Sequence, residues 1–159
     1  IEKLRNVKVI AWTTILFGIL LYVSDRFKLN QTLKKNFSFK SAIFIGLFQI
    51  LSLIPGVSRS GIGITAARLL NFNRIDSAKI SFLLSIPILG SVSIFGLRNL
   101  VLSEDINFSL MNLISIILSF MFSYITIKYF LNYIKEFNLN IFVYYRILLG
   151  IFLIILTDL

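Results

Sequence analysis

The sequence contains neither cysteine nor histidine, and only two of its 159 residues are proline. The missing cysteine excludes disulfides and thiol chemistry, and the missing histidine excludes imidazole metal ligands and imidazole general bases. Acidic residues are also scarce, seven against sixteen basic ones. All seven fall in segments that we expect to be loops or helix ends: Glu2, Asp25, Asp76, Glu104, Asp105, Glu136 and Asp158.

Apolar residues make up most of the chain, with 57% hydrophobic residues, sixteen of them phenylalanine, and a mean hydropathy of +0.90. A soluble domain is nearer about 45–50% apolar. We therefore expect an integral protein of the membrane bilayer. The net charge of +9 sits mostly in short segments between apolar runs, as in membrane proteins, so we expect no nucleic-acid partner.

The spacing of the apolar runs predicts an all-α, polytopic membrane protein. Four runs are predicted as transmembrane helices, at 9–24, 80–97, 110–130 and 141–156. A fifth apolar run, at 41–70, is interrupted and predicts a re-entrant helical hairpin. We expect residues 1–159 to form one membrane domain, with a loop at 25–40 and further loops at 71–79, 98–109 and 133–140.

The interruption is the stretch PGVSRSG at residues 55–61. Pro55 and Gly56 should break a helix arriving from the N-terminal side, and Ser58 or Ser60 should cap a second helix. Neither half is long enough to cross a bilayer. Non-helical backbone at membrane depth is tolerated only when protein or a wet cavity surrounds it. The break therefore needs one of those surroundings.

The basic residues predict an orientation, if the hairpin enters and leaves on the same face. One side then carries four: Lys3, Arg5, Lys8 and Arg98. The other carries ten and should be cytoplasmic: Arg26, Lys28, Lys34, Lys35, Lys40, Arg68, Arg74, Lys79, Lys128 and Lys135.

Two arginines, Arg59 and Arg146, lie inside apolar segments, where each charge costs about 2.5–3.5 kcal/mol at mid-helix. No carboxylate of the sequence is expected at that depth. Each guanidinium must therefore meet an anionic ligand, or a carboxylate from a segment outside this sequence or from another chain. Arg146 is also near enough to its helix end for the side chain to reach the membrane interface. Backbone N–H groups at a helix start, hydroxyls and a guanidinium suit phosphate.

Four further residues are candidates for the same site. Ser60 and Gly61 complete the loop, with Gly61 allowing close approach of a ligand. Thr65 either faces the cavity or bonds back to its own helix. Gln49 either orders the loop or joins helices.

The run GLFQILSLIPGVSRSGIGITAARLLNFNRIDSAKISFLLSIP, residues 46–87, resembles the second half of bacterial undecaprenyl-diphosphate phosphatases, the bacitracin-resistance family. The family pattern P-G-x-S-R-S-G is complete here. A downstream pattern is matched by Ala78, Ser81, Phe82, Leu83 and Pro87, and Y-R-x-x-x-G by Tyr145, Arg146 and Gly150. One departure is Gly63, where the family often has threonine.

The resemblance implies a fold of two inverted repeats, of which this chain would be the second. The family's first repeat carries an acidic motif, E-x-x-x-E-F followed by P-x-S-S-T-G-H, which this sequence lacks. We therefore expect a C-terminal fragment that holds half of an active site and is inactive by itself.

The implied reaction is hydrolysis of undecaprenyl diphosphate to undecaprenyl phosphate and phosphate. It would recycle the lipid carrier for cell-wall synthesis in the bacterial inner membrane and give bacitracin resistance. The resemblance implies catalytic roles for Arg59 and Ser58 and phosphate binding by Ser60, Gly61, Arg146, Thr65 and Gln49. The nucleophile is Ser58, a serine outside the chain, or water.

Mg²⁺ is the cofactor that the family leads us to expect, with carboxylate ligands outside this chain. A polyprenyl diphosphate lipid is the expected partner, and the possibility of a homo-oligomer is left open.

The alternative function is a broken-helix transporter or flippase for an anionic lipid or solute.

Overall fold

The computed structural model describes residues 6–26, 31–102 and 110–158, with no account of the side chains of 99–102, 110 and 158. The regular elements in these ranges are helices, which confirms the all-α class. In chain order they are α1 (Val7–Asp25), α2 (Leu33–Asn36), α3 (Phe39–Ile50) with a 3₁₀ turn (Leu51–Leu53), α4 (Arg59–Leu69), α5 (Arg74–Leu102), α6 (Leu110–Glu136) and α7 (Asn140–Asp158).

Four of these helices, α1, α5, α6 and α7, are long and apolar enough to cross a membrane. The prediction of four transmembrane helices is therefore confirmed at that level. Their polar ends add turns that hydropathy does not show, so α5 begins at Arg74 and runs to Leu102, through Pro87. The predicted loops at 71–79 and 98–109 are therefore wrong at residues 74–79 and 98–102, which belong to α5. Likewise α6 continues to Glu136, which shortens the loop predicted at 133–140.

Asn73 caps the start of α5, because its side-chain oxygen accepts the Asp76 N–H at 2.9 Å. Asp76 itself lies in the first turn, where a carboxylate is favourable next to the helix dipole. Several sequence-based assignments lie outside the described residues: Glu2, Lys3, Arg5, Lys28, Glu104, Asp105 and the loop at 103–109.

Residues 41–70 form a helical hairpin of α3 and α4 around the predicted break. Backbone hydrogen bonds join the segment before the hairpin to the segment after it, from Gln31 N–H to Asn71 O at 3.1 Å and from Asn73 N–H to Gln31 O at 3.0 Å. The loop predicted at 25–40 contains the short helix α2, whose Leu33 N–H donates to the Asp76 carboxylate at 2.9 Å. Both ends of the hairpin therefore meet the start of α5, while its insertion into a membrane and the inverted repeat stay predictions.

Helix α1 packs along α7 and also contacts α4. Glycines allow the approach to α7. A Cβ at Gly150 would lie 3.0 Å from the Ala11 carbonyl oxygen, and one at Gly18 would lie 3.4 Å from the Arg146 Cβ. Small residues at such crossings let helix backbones come close in a membrane.

A buried charge cluster joins the C-terminal end of α1, at Asp25, to three other segments. The Asp25 Oδ1 lies 2.7 Å from Arg74 Nε and 3.5 Å from Arg68 Nε. Its Oδ2 accepts the Leu139 N–H just before α7, at 3.2 Å. Asp25 is only 4% exposed and Arg68 only 3%. The sequence-based placement of Asp25 in a surface loop is therefore wrong, because two arginines and a backbone donor compensate its burial.

Arg68 also fixes the end of α4. Its guanidinium donates to the Phe72 carbonyl at 3.0 Å and to the Asp25 carbonyl at 3.2 Å. Burial lowers the pKa of Arg68, and the negative charge of Asp25 opposes that shift. Arg68 is therefore a structural residue, and not only one of the ten basic residues counted on the predicted cytoplasmic side.

Replacing Asp25 by asparagine should destabilise the fold strongly. The variant keeps the shape but leaves Arg68 and Arg74 without their carboxylate, and breaking a buried pair in this way costs about 3–5 kcal/mol. Thermal unfolding in detergent should show a clear fall in Tm. Glu136→Gln, at an exposed position of α6, is the matched control and should change little. Equal shifts in the two variants would contradict the role of the cluster.

Candidate anion site at the helix break

Two threonines of α1 hold the broken segment. The Thr13 hydroxyl lies 2.6 Å from the Pro55 carbonyl oxygen, and the Thr14 hydroxyl lies 3.3 Å from the Gly56 carbonyl oxygen. These carbonyls have left the helical ladder, so they need donors from another element. Gly56 has φ +91, and a Cβ there would meet Thr13 Oγ1 and lie 2.6 Å from the Ile10 carbonyl oxygen. Only glycine fits both this conformation and this contact.

Helix α4 starts at the motif with two backbone donors that have no acceptor among the described residues. Ser58 is the N-cap, because its Oγ accepts the Gly61 N–H at 3.2 Å, and this decides between the two predicted caps. The Ile62 N–H bonds to the Ser58 carbonyl at 2.9 Å. In the described part of the chain, the N–H groups of Arg59 and Ser60 have no acceptor. Such a helix start favours an anion.

Arg146 of α7 reaches the same turn. A Cβ at Gly61 would lie 2.9 Å from Arg146 Nη2 and 3.1 Å from Nη1, so the guanidinium rests directly against this glycine. The stem of Arg146 passes Gly18 of α1 on the way. The structure thus brings together two regions that are 85 residues apart in the sequence, and both were candidates for the site.

Arg59 is exposed at the first position of α4, and Arg146 is half-buried. The expected position of Arg59 at membrane depth stays a prediction. Across the described ranges, neither arginine has a carboxylate oxygen within 4.0 Å. Two cations are therefore available at one helix start.

The Thr65 hydroxyl donates to the Gly61 carbonyl at 2.8 Å and is 1% exposed. It follows the second of its two predicted alternatives, bonding back to its own helix. Its predicted phosphate contact would require the hydroxyl to leave this bond.

Gln49 lies deeper, beside the second turn of α4, and is 6% exposed. Its Nε2 has no hydrogen-bond partner among the described groups. A Cβ at Gly63 would lie 3.4 Å from this nitrogen and 2.5 Å from Ser81 Oγ, and Ser81 in turn donates to the Ser60 carbonyl at 3.1 Å. Gly63 thus leaves room for the Ser81 hydroxyl, which supports the motif from α5.

Sequence reasoning missed the residues that hold the motif from outside. In the sequence, Ser81 stands out only as a match to a family pattern, and Thr13 and Thr14 lie within a predicted membrane span. The adjacent threonines in an otherwise apolar run were the available signal, because buried hydroxyls need acceptors. Which acceptors they find depends on packing between helices.

The residues present do not fit a metal ion. Within the described ranges no group of three or more His, Cys, Asp or Glu side chains comes together. The groups at the motif are guanidinium, hydroxyl and backbone N–H donors, which bind anions rather than cations.

Fold and site together define a polytopic membrane protein with a cationic helix break. The family model for bacitracin resistance protein BacA matches residues 1–152. The chain therefore belongs to this family.

Curated relatives named undecaprenyl-diphosphatase agree with that family. The protein from Pelagibacter ubique is 54% identical over 152 residues, which are 96% of this chain and 59% of the relative. Those from Teredinibacter turnerae and Campylobacter curvus are 45% and 41% identical, each over 96% of this chain and 58% of the relative. The chain thus spans somewhat under three-fifths of the length of these relatives.

Replacing Gly56 by alanine should disrupt the motif. The positive φ and the contacts with Thr13 and Ile10 both oppose a side chain, so a loss of about 1–3 kcal/mol or more is expected. Thermal unfolding in detergent measures it. Gly46→Ala is the matched control, since a Cβ there meets nothing within 4 Å inside α3. If both variants unfold at the same temperature, the close contact between α1 and the motif is wrong.

Proposed function

We propose that this chain supplies the phosphate-binding side of an undecaprenyl-diphosphate phosphatase. The reaction is hydrolysis of undecaprenyl diphosphate to undecaprenyl phosphate and phosphate. One observation carries the proposal: the Arg146 guanidinium rests against Gly61 in the first turn of α4, and neither it nor Arg59 has a carboxylate beside it in the described structure. The names of the curated relatives support the choice of substrate.

The diphosphate would lie at the start of α4. Arg59 and Arg146 would bind its oxygens, with the N–H groups of Arg59 and Ser60 as further donors. Charge builds up on the bridging oxygen as the bond to the terminal phosphorus breaks, and fixed positive groups at that point lower the barrier. The hydroxyls of Ser58 and Ser60, 3.4 Å apart, lie at the same turn.

Water provides the oxygen that ends on the released phosphate, and the lipid keeps its own phosphate. Ser58 is proposed to be catalytic, although its Oγ already accepts the Gly61 N–H and so also fixes the start of α4. Gln49 is proposed to order the loop and Thr65 to approach the phosphate. Mg²⁺ would need carboxylates that the described residues do not bring to the motif, so we assign no step to it.

We also propose that the protein lies in the bacterial inner membrane, and its four apolar helices, each long enough for a crossing, support this location. Its product would re-enter cell-wall synthesis as lipid carrier. The activity would also give bacitracin resistance, in line with the family description.

Arg59→Gln should weaken diphosphate binding by the purified chain. A hydrogen bond to a charged group contributes about 1.5–3 kcal/mol, so we expect a loss of about tenfold to a hundredfold in Kd for farnesyl diphosphate. Titration calorimetry in a neutral detergent measures it. Lys34→Gln removes one exposed positive charge from α2 and is the matched control. Equal affinity of the two variants would contradict a phosphate contact by Arg59.

Turnover can be tested in a chimera in which this chain replaces the matched 59% of the Pelagibacter ubique relative. The chimera should release phosphate from undecaprenyl diphosphate, and Arg146→Gln should reduce kcat/KM by about a hundredfold or more, because a donor that acts on the transition state is lost. Ser119→Ala, at an exposed position of α6, should leave turnover unchanged. Uptake of the lipid into vesicles without phosphate release would instead indicate a transporter.

A further inference from the structure

A second cationic cavity lies at the opposite end of α1 from the motif. It has a volume of about 850 Å³ and opens where α1 and α6 end and where α5 and α7 begin. Asp25 lies twelve residues beyond Thr13 along α1, which is about 18 Å at 1.5 Å per residue. The cavity is therefore separate from the helix break.

The charges that line this cavity are unbalanced. Two carboxylates face five cations: Arg26, Arg68, Arg74, Lys79 and Lys135. Both carboxylates are already engaged. Asp25 binds Arg68, Arg74 and the Leu139 N–H, and Asp76 accepts hydrogen bonds from Leu33 N–H at 2.9 Å and Asn73 Nδ2 at 3.0 Å.

Arg26 and Lys135 are left with neutral partners only. The Arg26 guanidinium lies 4.5 Å from the centre of the Tyr22 ring and also contacts the Tyr22 hydroxyl. Lys135 Nζ donates to Asn132 Oδ1 at 3.1 Å. Neither cation has a carboxylate within 4.0 Å in the described part of the protein. Both side chains keep donors free for a ligand in the cavity.

Neutral donors complete the lining. Asn138 and Asn140 also line the cavity, and Asn140 is the first residue of α7. Amide N–H groups and a helix start add to the attraction for an anion without needing a counter-charge. The ligand that suits this set is compact, anionic and rich in acceptors.

We propose that this cavity binds a phosphate group, carried either by an acidic lipid headgroup or by free inorganic phosphate. The cavity lies at the ends of helices that are long enough to cross the membrane, which is the depth of lipid headgroups. Basic pockets between transmembrane helices bind headgroups of anionic lipids. The site is independent of turnover at the helix break.

The test removes the two cations that lack carboxylates. Arg26→Gln/Lys135→Gln is compared with Lys34→Gln/Lys35→Gln, which removes the same charge from exposed positions of α2 outside the cavity. One arm counts phosphatidylglycerol retained by the full chain after extraction from nanodiscs, by native mass spectrometry, with phosphatidylcholine nanodiscs as the reference. The other arm measures binding of inorganic phosphate in a neutral detergent by ³¹P NMR.

The cavity variant should lose binding by about tenfold or more, while the control variant should behave like the unmodified chain. A loss confined to phosphatidylglycerol identifies a headgroup site, and a loss confined to phosphate identifies a free-ion site. Equal binding by the cavity and control variants in both arms would overturn the proposal.

Two further measurements separate this result from other causes. Farnesyl diphosphate binding at the helix break should be unchanged in the cavity variant, which shows that the fold is intact. Asn138→Asp, which brings a negative charge to the lining, should also weaken binding. If Asn138→Asp bound the anion as well as the unmodified chain, the assignment to this cavity would be wrong.

Discussion

The broken backbone at Pro55 and Gly56 sets the main constraint on this structure. Two carbonyl groups leave the helical ladder within an apolar run, and in such surroundings each unpaired polar group costs several kcal/mol. The Thr13 hydroxyl of α1 lies 2.6 Å from the Pro55 carbonyl oxygen and can donate to it. The Thr14 hydroxyl lies 3.3 Å from the Gly56 carbonyl oxygen and 2.7 Å from the Ile10 carbonyl oxygen of its own helix. Because α1 must lie against the break, its packing partner α7 also lies close, and Arg146 is carried to Gly61. One hydrogen-bonding requirement thus assembles three parts of the chain.

The arginines divide into two groups by their partners. Arg68 and Arg74 share the buried carboxylate of Asp25, so their charge is used to join α1, α4, α5 and the segment before α7. Arg59 and Arg146 lie at the other end of α4 without such a partner in the described ranges. A ligand anion can take that place. The arginines that share Asp25 and the two arginines proposed to bind a ligand therefore lie at opposite ends of one eleven-residue helix.

Much of the fold could be predicted because long apolar runs and a Pro-Gly break are local signals. The four long apolar helices, the break at 55–61 and a cap at Ser58 or Ser60 all depend on neighbouring residues only. The helix ends were placed less well, since α5 starts six residues before its apolar run at a cap on Asn73. Polar caps decide such ends, and hydropathy does not register them.

The candidate site shows where local reasoning stops. The sequence identified Arg59 and Arg146 because a charge in an apolar run is unusual by itself. It could not show that Arg146 meets Gly61, or that Asp25 is buried, because both contacts join segments distant in sequence. In the sequence, Asp25 is the first residue of a predicted loop. Its burial is possible because Arg68 and Arg74 compensate the charge of the carboxylate. In the described part of the chain, the same packing leaves Arg26 and Lys135 with neutral partners only. The Asp25 carboxylate lies between Arg68 and Arg74, so it does not compensate the charge of these two neighbouring cations.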